Sequence, residues 1–86
     1  NPTHYAVAIK YDQQIADAPI VLAKGEDYLA ARIKEVAREN KIEIVENKPL
    51  ARMLYANVDV GQAVPPELYQ AVAEVLAFVY HLQGKI

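Results

Sequence analysis

Three stretches of the chain carry the apolar patterns of β-strands. Residues 5–11 place large apolar side chains at every second position, with small or polar ones between them, which is the period of a strand. Both faces of this strand are largely apolar, so we expect it at the centre of a sheet. The unbroken apolar run at residues 19–23 predicts a second strand buried on both faces, as in a parallel sheet, and Lys24-Gly25 is expected to end it. Residues 42–46 predict a third strand.

Between and after these strands, apolar residues recur at helical spacing in three segments. The first segment has Glu26 and Asp27 in its opening turn, where the helix dipole favours negative charge, and it is expected to stop at Asn40-Lys41. Asn47 is expected to cap the second helix, with a proline in its first turn, and the third helix opens at residues 65–67. The positions predicted to be buried are Leu29, Ile33, Val36, Ala37, Leu50, Met53, Leu54, Leu68, Val72, Val75, Leu76 and Val79.

The predicted order of elements, β-β-α-β-α-α, places the chain in the α/β class. We expect a single domain over residues 1–86, with a small mixed sheet and helices packed on both of its faces. The strand–helix–strand unit between residues 19 and 46 predicts a right-handed crossover that joins two parallel strands. Because a turn leads straight into the first strand, we also expect one further strand upstream of Asn1, without which a sheet edge would be unprotected.

Composition narrows the classes of function. The chain has 86 residues, of which 53% are apolar and 23% charged, the balance of a globular domain. Its net charge of −2 and its lack of a basic stripe argue against nucleic-acid binding. The absence of cysteine excludes disulfides, thiolate zinc sites and cysteine nucleophiles. No metal or cofactor is expected, since His81 has no ligand partner at a suitable spacing, and no apolar run is long enough to cross a bilayer.

The reactive groups of the chain are concentrated in its first four residues, Asn1-Pro2-Thr3-His4. Proline presets the φ angle at the second position of a tight turn, which makes Asn1 and His4 the ends of that turn, with Cα atoms within about 7 Å of each other. An asparagine amide nitrogen can attack its own backbone carbonyl, closing a succinimide ring and releasing the proline nitrogen. Groups held together in this way react as if at very high concentration.

Two neighbours favour this reaction. His4 is the candidate base, because imidazole is the side chain that most often serves in proton transfer. Pro2 has no N–H, so the competing attack of a backbone nitrogen on the asparagine side chain is blocked. Asn-Pro also opens ordinary turns, and on the residues alone an inert turn before a strand is the simpler interpretation. Asn1, Pro2, Thr3 and His4 are therefore candidate catalytic residues, with both interpretations open.

The order of short motifs along the chain resembles the FlhB/YscU family of type III export proteins. Asn1-Pro2-Thr3-His4 before an apolar strand looks like the autocleavage motif of that family. The further motifs that carry the resemblance are Ala18-Pro19, Ala23-Lys24-Gly25, Pro49-Leu50-Ala51-Arg52, Leu54-Tyr55, Gly61-Gln62 and residues 71–77. Each motif is weak alone, but their common order is specific. Residues 23–25, 61–62 and 69–72 look more like the flagellar branch than the virulence branch.

The resemblance implies a self-cleaving domain on the cytoplasmic face of the bacterial inner membrane. It implies that the Asn1–Pro2 bond breaks once in each molecule, without turnover, and that the pieces stay associated. The event would switch flagellar export from rod and hook substrates to filament substrates. The implied partners are the upstream half of the same domain, other export-gate components, export substrates and a hook-length control protein. Segments N-terminal to this chain would make the membrane contacts.

The resemblance also implies a docking surface for short apolar signals of early export substrates. Ala18 and Pro19 precede the second strand, and Ala73 and Leu76 lie on the last helix. If these four residues come together, they form a shallow apolar patch, although core packing explains Leu76 equally well. Three other functions stay open: a virulence-secretion homologue, an inert α/β protein-binding module, and a peptidase acting on other chains, for which the sequence offers no second nucleophile, metal set or oxyanion motif.

Overall fold

The computed structural model describes residues 3–11, 14 and 17–82, with side chains described through residue 76. In this part of the chain the elements are β1 (Tyr5–Lys10), β2 (Ile20–Glu26), α1 (Asp27–Glu39), β3 (Glu43–Val45), α2 (Lys48–Asn57) and α3 (Tyr69–Leu82). A 3-10 turn, Pro66–Leu68, leads into α3. The predicted order of elements and the α/β class are confirmed. Within the described residues, no helix has the length and apolar character needed to cross a membrane.

β1 lies in the middle of the sheet, as expected. The strand order is β2-β1-β3, and β1 pairs antiparallel with both neighbours. The pairing therefore differs from the predicted mixed sheet. β2 and β3 do run parallel to each other, but β1 lies between them, so each pairing in the described sheet is antiparallel. The sequence pattern indicates that the two strands joined by α1 run parallel, but it does not indicate that β1 lies between them.

Both faces of β1 are buried, and helices cover each of them. Val7 and Ile9 point to one side, where they meet α2 and α3, and both are fully buried. The core on that side consists of Val7, Ile9, Val21, Val45, Leu50, Ala51, Leu54, Val58, Val64, Val72 and Leu76. Ala6 and Ala8 are also buried, and by the alternation of a strand they point to the opposite side.

The second face is covered by α1 at short range. Gly25 pairs with Ala6 across the two strands, and a Cβ placed on Gly25 would lie 2.6 Å from the Leu29 Cγ and 2.9 Å from the Ile33 Cδ1. Cross-strand partners share a face, so Ala6 and Gly25 both face α1. The small side chains let the helix approach the sheet closely.

Three of the predicted buried positions are exposed, and the close approach of α1 explains two of them. Leu29, Val36 and Met53 are 51%, 40% and 49% exposed. α1 buries Ala37, as predicted, and Ala30, which was not, and the buried face of α2 is Leu50, Ala51 and Leu54. Where the backbone of α1 lies near the sheet, small side chains fit between them and larger ones lie along the flank. α2 buries two leucines, so Met53 is exposed because it lies outside the buried face of that helix. Val79, the last predicted position, lies outside the residues with described side chains.

β2 is longer and more exposed than predicted. Residues 24–26 continue the ladder by pairing with residues 5–7, so the predicted break at Lys24-Gly25 is wrong. The predicted burial on both faces is met only in part, since Val21 and Gly25 are buried but Leu22 is exposed, and β2 lies at an edge of the sheet. The register shifts between Ala8 and Ile9, a bulge that leaves Leu22 without a partner on β1 and 38% exposed.

The loop after α2 covers the outer edge of β2 where that strand begins. The Gly61 N–H donates to the Val21 carbonyl at 2.7 Å, and the Val64 N–H donates to the Pro19 carbonyl at 2.8 Å. Gly61 has a φ of +88°, which glycine adopts without steric cost. The expected loop at Gly61 is thus confirmed, and it also pairs part of an edge that would otherwise be open.

The helix ends follow the sequence signals. The Asn47 side chain accepts a hydrogen bond from the Leu50 N–H at 3.1 Å, which confirms the predicted cap of α2. After α1, Lys41 has a φ of +56°, and the Ile42 N–H donates to the Ala37 carbonyl at 2.9 Å. This closing pattern satisfies carbonyls that the last turn leaves free and confirms the predicted stop at Asn40-Lys41.

Gly25→Ala is expected to lower the free energy of unfolding by about 1–3 kcal/mol, because the new methyl group would have to displace Leu29 and Ile33. Urea titration monitored by circular dichroism measures the change. Leu29→Ala is the matched control, since this side chain is half exposed and its loss alone costs little. In the double variant the displaced neighbour is gone, and part of the Gly25→Ala loss should be recovered. Strict additivity of the two changes would contradict the close approach of α1.

Candidate functional site

The candidate site lies at the entrance to the central strand. Thr3 and His4 immediately precede β1; Thr3 is half-buried and His4 is exposed. Asn1 and Pro2 lie outside the described residues, so the roles predicted for them stay predictions. What the structure does describe is how the chain is held directly downstream of the Asn1–Pro2 bond.

His4 is fastened to the first residue of α1 by two hydrogen bonds. The Asp27 N–H donates to the His4 carbonyl at 2.8 Å, and the His4 N–H donates to the Asp27 Oδ1 at 3.1 Å. The β1–β2 ladder ends with Tyr5 opposite Glu26, so His4 and Asp27 form the next pair in the same register. The pairing of the sheet therefore extends to His4, the fourth residue of the motif.

Asp27 adopts an unusual backbone conformation to make this pair. Its φ is +52°, in the left-handed region that costs most side chains about 1–3 kcal/mol and that aspartate and asparagine tolerate best. Glu26, which occupies the N-cap position of α1, makes no capping hydrogen bond with its side chain. The carboxylate of Asp27 thus lies at the positive end of a helix dipole while bonding to His4.

A second support joins β1 to α2 through Tyr5. The rings of Tyr5 and Tyr55 lie 5.0 Å apart at 49°, and the Lys24 Nζ lies 5.4 Å from the Tyr55 ring centre. Lys24 also donates to the Tyr55 and Val58 carbonyls, both at 2.9 Å. Those carbonyls lie at the C-terminal end of α2, where the dipole favours a positive charge. Lys24 therefore connects the end of α2 to the strand that pairs with β1.

An open cleft with a basic lining adjoins the motif. It is lined by Thr3, Tyr5, Lys48, Pro49 and Arg52. The sequence offers Glu46 and Glu43 as ion-pair partners for Arg52, and in the structure Glu46 pairs with Lys34 at 3.4 Å. Lys48 and Arg52 are both exposed beside Thr3.

The predicted docking residues differ in their exposure. Ala18, Pro19 and Leu76 are buried, and Leu76 has the core packing that was its alternative explanation. Ala73 is exposed on α3. The Pro19 carbonyl is bonded to Val64. The patch itself stays a prediction, with Ala73 as its accessible member.

Two residues of the site were not predicted from the sequence. Asp27 was interpreted as a helix-start charge, and Lys24 as part of a break between elements. One signal was available for both: the alternation of β2 can be continued through Lys24, Gly25 and Glu26, which would bring Asp27 level with His4. Within the described part of the chain, no group of three or more His, Cys, Asp or Glu side chains could hold a metal ion.

Comparisons of the sequence and of the structure with known proteins identify the same family. The model of the FlhB HrpN YscU SpaS family matches residues 1–79. Over 86 residues the chain is 51% identical to the flagellar biosynthetic protein FlhB of Bacillus subtilis, covering 100% of this chain and 24% of that protein. Over 83 residues it is 58% identical to the FlhB of Helicobacter pylori, covering 96% and 23%. The chain thus spans about a quarter of the length of these relatives.

Solved structures of two related domains have the same fold as this chain. The cytoplasmic domain of FlhB from Shewanella putrefaciens has a TM-score of 0.81 at 52% identity, with 90% of this chain and 64% of that chain covered. The PscU C-terminal domain has a TM-score of 0.80 at 40% identity, with 91% and 99% covered. Identities of this size indicate shared ancestry as well as a shared fold.

Lys24→Met is expected to lower the free energy of unfolding by about 2 kcal/mol, because two carbonyls lose a charged donor while the apolar stem is kept. Asp59→Asn is the matched control. Asp59 lies 3.8 Å from the Lys24 Nζ, but its side chain is 91% exposed, and a surface pair of this kind contributes less than about 1 kcal/mol. Thermal unfolding of both variants measures the difference. Equal losses would show that the surface pair, and not the α2 carbonyls, makes Lys24 important.

Proposed function

Because this chain belongs to the FlhB HrpN YscU SpaS family, we propose that it is part of a type III protein-export component that cuts its own Asn1–Pro2 bond. The observation that carries the proposal is the anchoring of His4. The motif runs directly into the buried central strand and is bonded at its fourth residue to α1. A turn anchored so close to the bond has few conformations to lose before its groups react.

The proposed reaction uses only groups of the chain. The side-chain nitrogen of Asn1 attacks the backbone carbonyl carbon of the same residue, and the ring closes to a succinimide. The bond from that carbon to the Pro2 nitrogen breaks. The attacking nitrogen loses a proton and the Pro2 nitrogen gains one. The exposed His4 imidazole can carry this proton, taking the role of base and then of acid. Each molecule reacts once, so the protein is not a turnover enzyme.

The biological role follows the flagellar branch of the family. The relatives that are 51% and 58% identical are flagellar biosynthetic proteins, whereas the PscU domain is 40% identical. We propose that the chain is the cytoplasmic part of an inner-membrane component of the flagellar export apparatus. Its cleavage would switch export from rod and hook substrates to filament substrates. Its partners would be the upstream half of its domain, other gate components, export substrates and a hook-length control protein.

Cleavage is tested with a chain that includes the sequence its gene encodes upstream of Asn1. At neutral pH the wild type is expected to give two fragments, and Asn1→Ala a single intact mass, because alanine has no side-chain nucleophile. Pro2→Ala restores an N–H after Asn1 and should shift the products toward deamidated, uncut chain. His4→Ala should slow cleavage by about tenfold to a hundredfold without abolishing it. Splitting of Asn1→Ala at this bond would be fatal to the mechanism.

The docking surface is tested at its accessible member. Ala73→Asp should leave the domain folded, because the site is exposed. It should lower export of rod and hook subunits by about tenfold or more, because burying an unpaired charge in an apolar contact weakens binding by at least that factor. Gln70→Asp, also exposed on α3, adds the same charge outside the predicted patch and should export normally. Secreted rod and hook subunits are measured by immunoblot. Normal export by Ala73→Asp would remove the patch from the proposal.

A further inference from the structure

We propose that Asp27 is a positioning residue for the cleavage, holding the main chain of His4 so that the turn carrying the Asn1–Pro2 bond has one geometry. The inference rests on the proposed self-cleavage and adds to it a residue 23 positions from His4. Asp27 is not one of the reacting groups. It acts through the backbone of His4, the last residue of the motif.

The carboxylate of Asp27 replaces a missing partner of the sheet. In a regular antiparallel pair, two opposite residues exchange both of their N–H···O bonds. Asp27 supplies its own N–H to the His4 carbonyl, but its carbonyl belongs to the first turn of α1 and is directed along that helix. The Oδ1 of its side chain accepts from the His4 N–H instead. The pair that contains the last residue of the motif is therefore completed by a side chain, at the point where β2 gives way to α1.

Few residue types meet both requirements at this position. The backbone has a φ of +52°, which glycine, asparagine and aspartate tolerate best. The bond to His4 requires a short side chain with an acceptor oxygen, which glycine lacks. Aspartate and asparagine therefore satisfy both demands, and aspartate adds a favourable interaction with the helix dipole. An ordinary helix-start charge would need neither the left-handed backbone nor the bond to His4.

The effect on the reaction is geometric. Thr3 and Pro2 are the residues between His4 and Asn1, so a change in the direction of the His4 backbone moves the scissile bond with little chain to absorb it. Misplacement of reacting groups by about 1 Å can cost a hundredfold in rate. If the His4 N–H lost its acceptor, only the hydrogen bond from the Asp27 N–H to the His4 carbonyl would remain. The backbone could then rotate about that single bond, and the turn would sample additional conformations.

Two substitutions of Asp27 separate the effects of its acceptor oxygen, its negative charge and its tolerance of a left-handed backbone. Asp27→Asn keeps the acceptor oxygen and the backbone tolerance, and should cleave within about twofold of wild type with an unchanged pH profile. Asp27→Gly keeps the tolerance, removes the acceptor, and should slow cleavage by about tenfold to a hundredfold. Glu26→Gln removes a neighbouring exposed charge as a matched control and should cleave like wild type. Fragment masses give the rates, in the chain extended upstream of Asn1.

A second measurement does not depend on cleavage. Amide exchange followed by NMR in an Asn1→Ala background should show a protected His4 N–H, and Asp27→Gly should raise its exchange rate by about tenfold or more because one hydrogen bond is lost. Exchange in the middle of α1 should stay the same. Cleavage of Asp27→Gly at the wild-type rate, or a shifted pH profile in Asp27→Asn, would overturn the positioning role.

If Asp27→Gly does not fold, the donor can be removed instead. His4→Ala keeps the backbone N–H and His4→Pro lacks it, so the proline variant should cleave about tenfold more slowly than the alanine variant, and equal rates would overturn the inference.

Asn1→Ala in the same series separates the two proposals. If the wild type stays intact or Asn1→Ala is cut, the proposed function fails. If both behave as expected and Asp27→Gly cleaves normally, the inference about Asp27 alone fails.

Discussion

The burial of β1 on both faces is the constraint on which the rest of the structure depends. Helices lie on both sides of β1, so it has no solvent-facing side, and every residue from Ala6 to Ile9 is apolar and buried. The two faces are covered differently. Bulky Val7 and Ile9 meet a core built from α2 and α3, whereas Ala6 and Ala8, with Gly25 beside them, admit α1 at close range. The sequence encodes this difference as an alternation of large and small apolar residues.

The same burial makes the entrance of β1 a rigid place to attach a turn. Tyr5 is fixed by pairing with Glu26 and by the ring of Tyr55, and His4 is fixed by Asp27. Lys24 joins the far end of α2 to the same part of the sheet. The motif residues therefore adjoin two helices and a strand that hold one another in place. Thr3, half-buried beside the first turn of α2, is where this support meets the cleft.

The sequence predicts the local features well and the long-range ones poorly. The order of elements, the burial of β1 on both faces, the Asn47 cap and the loop at Gly61 each follow from a few neighbouring residues. The position of β1 between β2 and β3 depends on contacts between distant segments, which a period of two does not specify. The exposure of Leu29 is not predicted, because helical spacing does not show how closely α1 approaches the sheet. Within the site, the reactive motif could be identified from its own residues, whereas the role of Asp27 arises from a pairing that only the folded chain makes.

The central position of β1 also determines how the domain bears mechanical load. Tension on the chain upstream of Tyr5 is directed along β1, nearly at right angles to the hydrogen bonds that join it to β2 and β3. Both ladders are therefore loaded in shear, with all their bonds sharing the force. A strand in the same place at the sheet edge, pulled sideways, would peel away one pair at a time. The fold thus forms a firm mechanical anchor, and a cut in the chain just upstream of Thr3 would release the load without disturbing any pair of the sheet.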